Sequence, residues 1–156
     1  MDIEEKNIPY QKVAIMNYKG DMEHIEVLIS KLLGWIESEE IETYGNIFAI
    51  YYNNPKRFRQ KEDIVYDLGI PVNAAQDIED TELIKTVDMI EHTVLSGIHN
   101  GDLNNIQNSY VEMADYAEKN NYDIIGSPKE IYIKNKYEVE SPEEMVTEIQ
   151  LPVIKM

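Results

Sequence analysis

Apolar and polar positions change period along this chain in one order, and they do so twice. VAIMNY (13–18) and TVLSGIH (93–99) are β-like runs. Each is followed by a Gly-Asp pair, Gly20-Asp21 and Gly101-Asp102. Glycine permits a sharp turn, and aspartate accepts the free N–H groups of a first helical turn, so a helix start is predicted at both places. A stripe with spacings of three and four comes next. It reads Ile25, Ile29, Leu32, Leu33, Ile36 in the first half and Leu103, Ile106, Tyr110, Met113, Ala117 in the second. That spacing predicts one amphipathic helix per half. Two strand-like runs close each half: NIFAIYY (46–52) and DIVYDLGIPV (63–72), then KEIYIKN (129–135) and EMVTEIQLPV (144–153). Asn53-Asn54-Pro55 and the stretch around Asn135 supply turn chemistry between them.

The recurrence has a fixed offset. Gly20-Asp21 returns as Gly101-Asp102, Gly45 as Gly126, Ile50-Tyr51 as Ile131-Tyr132, and Pro71-Val72 as Pro152-Val153, each 81 residues later (101 − 20 = 81). Trp35 and Tyr116 also correspond, as do Asp67 and Glu148. The pattern therefore predicts a tandem duplication of a β-α-β-β unit, with repeats 8–72 and 89–153 and a polar connector at 73–83. One helix on about 70 residues buries its apolar face poorly alone. The expectation is a single α+β domain over 1–156, with a mostly antiparallel sheet and two main helices arranged about a pseudo-twofold axis.

Charge narrows the partners. Lys and Arg number 14 against 30 Asp and Glu, a net charge of −16. Nucleic acid and anionic membranes are thus poor direct partners, because both require exposed cationic groups. The chain has no cysteine, which removes disulfides, zinc thiolates, iron–sulfur clusters and thiol nucleophiles. His24, His92 and His99 have no metal-like spacing, and no Walker loop, GxGxxG or GxSxG motif occurs. Neither metal nor cofactor is expected. The basic run KRFRQK (56–61) is short and fits a solvated loop. No signal-like start or spanning apolar run is present, so the expected location is the cytoplasm.

Two features suggest chemistry. Asp67 and Glu148 are acids inside otherwise apolar strands. Each fits the polar face of an alternating strand. Each also fits an inward carboxylate, which needs a cation, a hydroxyl donor or a raised pKa. Tyrosine is the second feature, with 11 Tyr against 2 Phe and 1 Trp. Tyr51 and Tyr132 correspond between the repeats, on strands expected to neighbour those of the two acids. Aromatic faces around a carboxylate suit a bulky lipophilic cation.

With NIFAIYYNNP, YDLGIPV, KEIYIKN and TEIQLPV in this duplicated order, the chain resembles the GyrI-like small-molecule-binding domains, the effector-binding domains of AraC- and MerR-type regulators, in a stand-alone form. The resemblance covers essentially the whole chain. It implies a curved antiparallel sheet with outer helices, a groove near the pseudo-dyad, and an aromatic pocket for lipophilic and often cationic compounds. It implies that Glu148 is the electrostatic anchor, that Tyr51, Tyr132 and Trp35 supply ring faces, and that Asp67 is a weaker candidate. A helix-turn-helix segment, present in regulators of this type, has no counterpart here.

The expected function is a small-molecule-binding module that acts as a sensor, a sequestering protein or a regulatory partner. Two alternatives stand beside it. One is a hydrolase of reactive cytotoxic compounds, with Glu148 as general base. The other is an acidic protein-interaction module, as a gyrase inhibitor would be.

Overall fold

The computed structural model describes residues 1–20, 24–52, 64–135 and 138–156. Asp21, Asn53-Asn54-Pro55 and the 56–61 basic run lie outside the described residues. Among the described residues two α-helices accompany antiparallel strand pairs, which gives the α+β class. The fold divides into two compact units: Pro9–Glu91 is one, and Met1–Ile8 with His92–Met156 is the other.

The Pro9–Glu91 unit contains β2 (Gln11–Gly20), α1 (Ile25–Ser38), β3 (Phe48–Tyr51), β4 (Ile64–Val72) and β5 (Lys85–Met89). Its strands run in the order β3-β4-β2-β5, each pair antiparallel. Leu28 and Leu32 are the buried positions of α1, while Leu33 is 47% exposed. The buried stripe is thus turned slightly from the predicted one, which had included Leu33 and missed Leu28. A five-residue apolar pattern leaves that rotation undetermined when both neighbours are leucine.

The second unit contains β1 (Ile3–Ile8), β6 (His92–Asn100), α2 (Ile106–Lys119), β7 (Tyr122–Ile124), β8 (Lys129–Lys134) and β9 (Val146–Lys155). The order is β1-β6-β9-β8, and β7 pairs with the far end of β9. Leu95, Met113, Ala117, Ile149, Leu151 and Val153 form its core, with Ile3, Tyr110 and Tyr122 packed against it. The last turn before α2 opens on Gly101, whose φ of 111° suits a residue without Cβ. Asp102 then accepts the Asn104 N–H at 2.9 Å, as a capping aspartate should.

The elements of the two units keep the 81-residue spacing. Both ends of the helices obey it (106 − 25 = 81; 119 − 38 = 81). The pairing register obeys it too: Phe48 faces Gly69 on β4, and Lys129 faces Gln150 on β9. Strands β1 and β5 were not anticipated. Their sequences, IEEKNI and KTVDM, carry charges at Glu4, Glu5 and Lys6 and at Lys85 and Asp88, and charged side chains are one way exposed edge strands avoid pairing with other chains.

The prolines of GIPV and QLPV serve the same turn in both units. The Pro71 carbonyl accepts the Tyr44 N–H at 2.9 Å, and the Pro152 carbonyl accepts the Ile125 N–H at 2.9 Å. The next residue, Gly45 or Gly126, lies on the proline ring. A Cβ at Gly126 would stand 3.1 Å from Pro152 Cβ and Cγ. Gly126→Ala is therefore expected to lower stability by about 1 kcal/mol, read as a shifted urea midpoint with the slope unchanged.

Candidate functional site

Alternation along β9 divides its side chains. Thr147, Ile149, Leu151 and Val153 face α2, three of them as core residues. Glu148, Gln150 and Pro152 face the other way. Register then brings Lys129 of β8 beside Gln150 and Ser96 of β6 across from it, and places Ile98 and Ile131 opposite Glu148. Lys6 of β1 is on this face as well, paired in register with Val94.

Glu148 is the centre of the group. Its side chain is 12% exposed. All three of its hydrogen bonds fall on one oxygen. Oε2 accepts from Ser96 Oγ at 2.8 Å, Gln150 Nε2 at 2.9 Å and Lys6 Nζ at 3.4 Å. Oε1 takes no donor among the described residues. Burial pushes the Glu148 carboxyl up, but the bonds from Gln150 and Ser96 and the charge of Lys6 outweigh it and hold the group below the usual glutamate range. It is an anion at neutral pH. Lys6 has a second acid in reach, Glu4 at 3.7 Å, and its side chain is 38% exposed. It can leave Glu148 without losing a counter-charge.

Lys129 is the unusual neighbour. It is only 6% exposed, and burial brings its ammonium down to about 8 despite the opposing pull of Glu148. In the other unit the corresponding position is Phe48, which is fully buried and whose ring lies over Gly69. The two units thus differ in kind: Lys129 and Gln150 in one stand where Phe48 and Gly69 stand in the other.

Asp67 occupies the matching place on β4. Its Oδ1 accepts from Asn17 Nδ2 at 2.9 Å, and its Oδ2 accepts the Tyr52 hydroxyl. Burial first, then the bond to Asp67, push the Tyr52 hydroxyl up. Both oxygens of Asp67 are therefore engaged by neutral donors within its own unit.

Tyr51 and Tyr132 each lie on the opposite face of the sheet from the acid of their own unit. Tyr132 faces Thr147 in the ladder, so it is on the α2 side of its sheet, opposite to Glu148. There its hydroxyl donates to Glu130 Oε1 at 3.3 Å, and Tyr110 of α2 donates to Glu130 Oε2 at 2.5 Å. Burial pushes the Glu130 carboxyl up to about 7, although both tyrosines favour its ionised form. Tyr51 faces Tyr66, with ring centroids 5.9 Å apart, on the face turned away from Asp67. Trp35 is half-buried near the end of α1 in the Pro9–Glu91 unit. Sequence reasoning missed Lys6, Ser96 and Lys129. Lys129 carried a signal, since it aligns with Phe48 at the 81-residue offset.

His99 is buried. Its Nε2 donates to the Asp102 carbonyl at 2.9 Å and its Nδ1 accepts from Ser109 at 2.7 Å, which ties β6 to α2. Among the described residues no cluster of three His, Asp or Glu is placed to hold a metal, and no helix is long and apolar enough to cross a membrane.

Solved structures share this fold. The C-terminal domain of EcmrR matches with a TM-score of 0.86 at 21% identity, over 99% of this chain and 98% of that one. EcmrR in its complex with DNA gives the same score, and there the present chain spans 58% of the partner's length. A hydrolase from Listeria innocua matches with a TM-score of 0.73 at 17% identity, over 97% and 91% of the two chains. SAV2435 bound to tetraphenylphosphonium matches with 0.61 at 12% identity, over 99% and 94%. At these identities the likeness is one of fold. A search of curated proteins finds no match. The model of the GyrI-like small molecule binding domain matches residues 1–154. The chain belongs to the GyrI-like family of small-molecule-binding domains.

Proposed function

We propose that this protein binds amphipathic, cationic small molecules and that Glu148 anchors their charge. One observation carries the reading. Glu148 is a largely buried carboxylate kept ionised, and the cation it holds, Lys6, has another partner waiting. An incoming cation replaces an internal one, so the anion is never left bare. The SAV2435 structure with tetraphenylphosphonium is a fold relative holding a ligand of this class. Glu148 is the residue on which the reading rests. Asp67 is a second acid of lower availability, because neutral donors already fill it. Tyr51, Tyr132 and Trp35 enter the proposal as shaping residues of their own units.

The same geometry makes catalysis by Glu148 a weaker reading. A general base works best with a pKa near the operating pH. Glu148 is displaced the other way, and the carboxylate near neutrality, Glu130, faces α2. As a ligand domain related in fold to part of a DNA-bound regulator, the protein acts in this reading as a cytoplasmic sensor or sequestering module. Direct contact with DNA is disfavoured by the net charge of −16. The 81-residue recurrence we read as a duplication of 8–72 and 89–153, joined at 73–83, within one domain.

The experiment is a calorimetric titration with a permanent lipophilic cation such as tetraphenylphosphonium at pH 7 and pH 9. Lys129 is a diagonal neighbour of Glu148, about 7–8 Å away. A like charge at that distance costs a bound cation about 2 kcal/mol at an effective dielectric constant of about 20. Affinity should rise about tenfold as Lys129 loses its proton between pH 7 and 9. Lys129→Met should already show the tighter value at pH 7, with the pH dependence gone. No binding below about millimolar in either protein at either pH overturns the proposal.

A further inference from the structure

We propose that the cationic ligand of this protein is a hydrogen-bonding one, a protonated amine, amidine or guanidine, and that Gln150 with Glu148 selects it over quaternary onium ions. The inference rests on the assignment of Glu148 as cation anchor and adds the chemical class of the cation.

The first observation is an orphan atom. Gln150 is 5% exposed, and its side-chain carbonyl oxygen is buried without a hydrogen-bond partner among the described residues. Its amide cannot be turned over to mend this. The amide nitrogen donates to Glu148 Oε2 at 2.9 Å, and a turned amide would aim one oxygen at another. A buried acceptor without a donor is costly, and native structures keep few of them without cause. The second observation is the free oxygen of Glu148. Because all three donors crowd onto Oε2, Oε1 is left without one among the described residues. The Gln150 amide that bonds Glu148 also carries the orphan oxygen, so the two open acceptors belong to hydrogen-bonded side chains on one sheet face.

Two open acceptors on neighbouring side chains, one anionic and one neutral, suit a cation that has two or more N–H groups to give. A guanidinium or amidinium presents both in one plane, and a primary ammonium presents three in a cone. A quaternary ammonium or phosphonium has the charge but no N–H, so it leaves Gln150 unpaired. The internal occupant agrees with the first kind. Lys6, which holds Glu148 now, is itself a primary ammonium and donates at 3.4 Å. The apolar floor for the ligand's tail is on hand in Ile98 and Ile131, which face Glu148 from the strands on either side.

A matched pair of probes tests this. Dodecylguanidinium and dodecyltrimethylammonium share a tail and a permanent charge at neutral pH. Both are titrated into the full chain by calorimetry below their micellar concentrations. The guanidinium should bind at least about tenfold more tightly. In Gln150→Met the two should come within about threefold, chiefly by loss on the guanidinium side. The inference is overturned if the trimethylammonium binds as well as the guanidinium to the unaltered protein, an outcome that leaves Glu148 as a plain charge anchor. It is equally overturned if the preference survives undiminished in Gln150→Met. If neither probe binds, the cation-binding function fails together with it. The comparison on the unaltered protein needs no variant to fold.

Discussion

Glu148→Gln should reduce the affinity for a lipophilic cation at least about thirtyfold, the largest functional effect expected from any single change here. The substitution keeps the shape and one acceptor oxygen, so Ser96 and Gln150 retain a partner. It removes the largely buried carboxylate that opposes Lys6 and Lys129 on that face. A cation would then approach two ammonium groups with no carboxylate between them. Truncating one member of a buried, hydrogen-bonded charge pair commonly costs about 2–5 kcal/mol in binding. Affinity within about threefold of the unaltered protein would remove Glu148 from the role assigned to it. Thermal melting separates this loss from unfolding, and Lys6→Met serves as a control of opposite sign. With its internal competitor gone, that variant should bind the cation more tightly.

The largest effect on stability is expected at Glu130, and it depends on pH. The carboxyl is buried between α2 and the sheet, with a pKa of about 7 in the folded chain against 4.5 unfolded. Between those two values the folded state holds a proton that the unfolded state has released. Stability therefore falls as pH rises from about 4.5 to 7, and the full penalty is present above 7. A shift of this size corresponds to about 3 kcal/mol. Glu130→Gln cannot ionise and still offers an oxygen to the Tyr110 hydroxyl. It should be near neutral at pH 5 and more stable than the unaltered protein by about 2 kcal/mol at pH 8, measured by urea unfolding at both pH values. Equal stabilities of the two proteins at pH 8 would show that Glu130 is not held protonated by its burial.

The helices and the inner strands were legible in the sequence because each rests on a local pattern. The stripes from Ile25 and Leu103 have the helical period, and the Gly-Asp pairs mark where the second of them starts. The class of fold follows from their order. Edge strands β1 and β5 were not legible, because an edge strand is selected for charge and has little apolar signal to read. The site was legible only in part. An acid inside an apolar strand can be found by eye, and Glu148 was. Which side chains share its face is decided by register, and register is a long-range fact. Tyr132 is a near neighbour of Glu148 in the ladder, yet it is one residue out of step, and one step in a strand is the opposite face of the sheet. Tyr51 and Asp67 differ in the same way. Conversely Lys6 is 142 residues away and on the right face. The repeat pattern itself concealed Lys129. Corresponding positions suggest corresponding roles, but Lys129 puts a cation where the other unit has the buried ring of Phe48.

The donors that hold Glu148 come from three strands, and two of them are distant in sequence, at separations of 52 and 142 residues. This has a consequence for timing. During synthesis β1 and β6 are complete long before residues 146–155 leave the ribosome, so Lys6 and Ser96 wait without the carboxylate they will share. Until β9 emerges the chain has no anchor to offer, and a ligand cannot speed the folding of the earlier strands by early capture. Contacts this far apart are also slow to close. Occupancy can report only on domains in which β9 has joined β1 and β6. A cell that reads this protein as a gauge of a small cation reads the folded population.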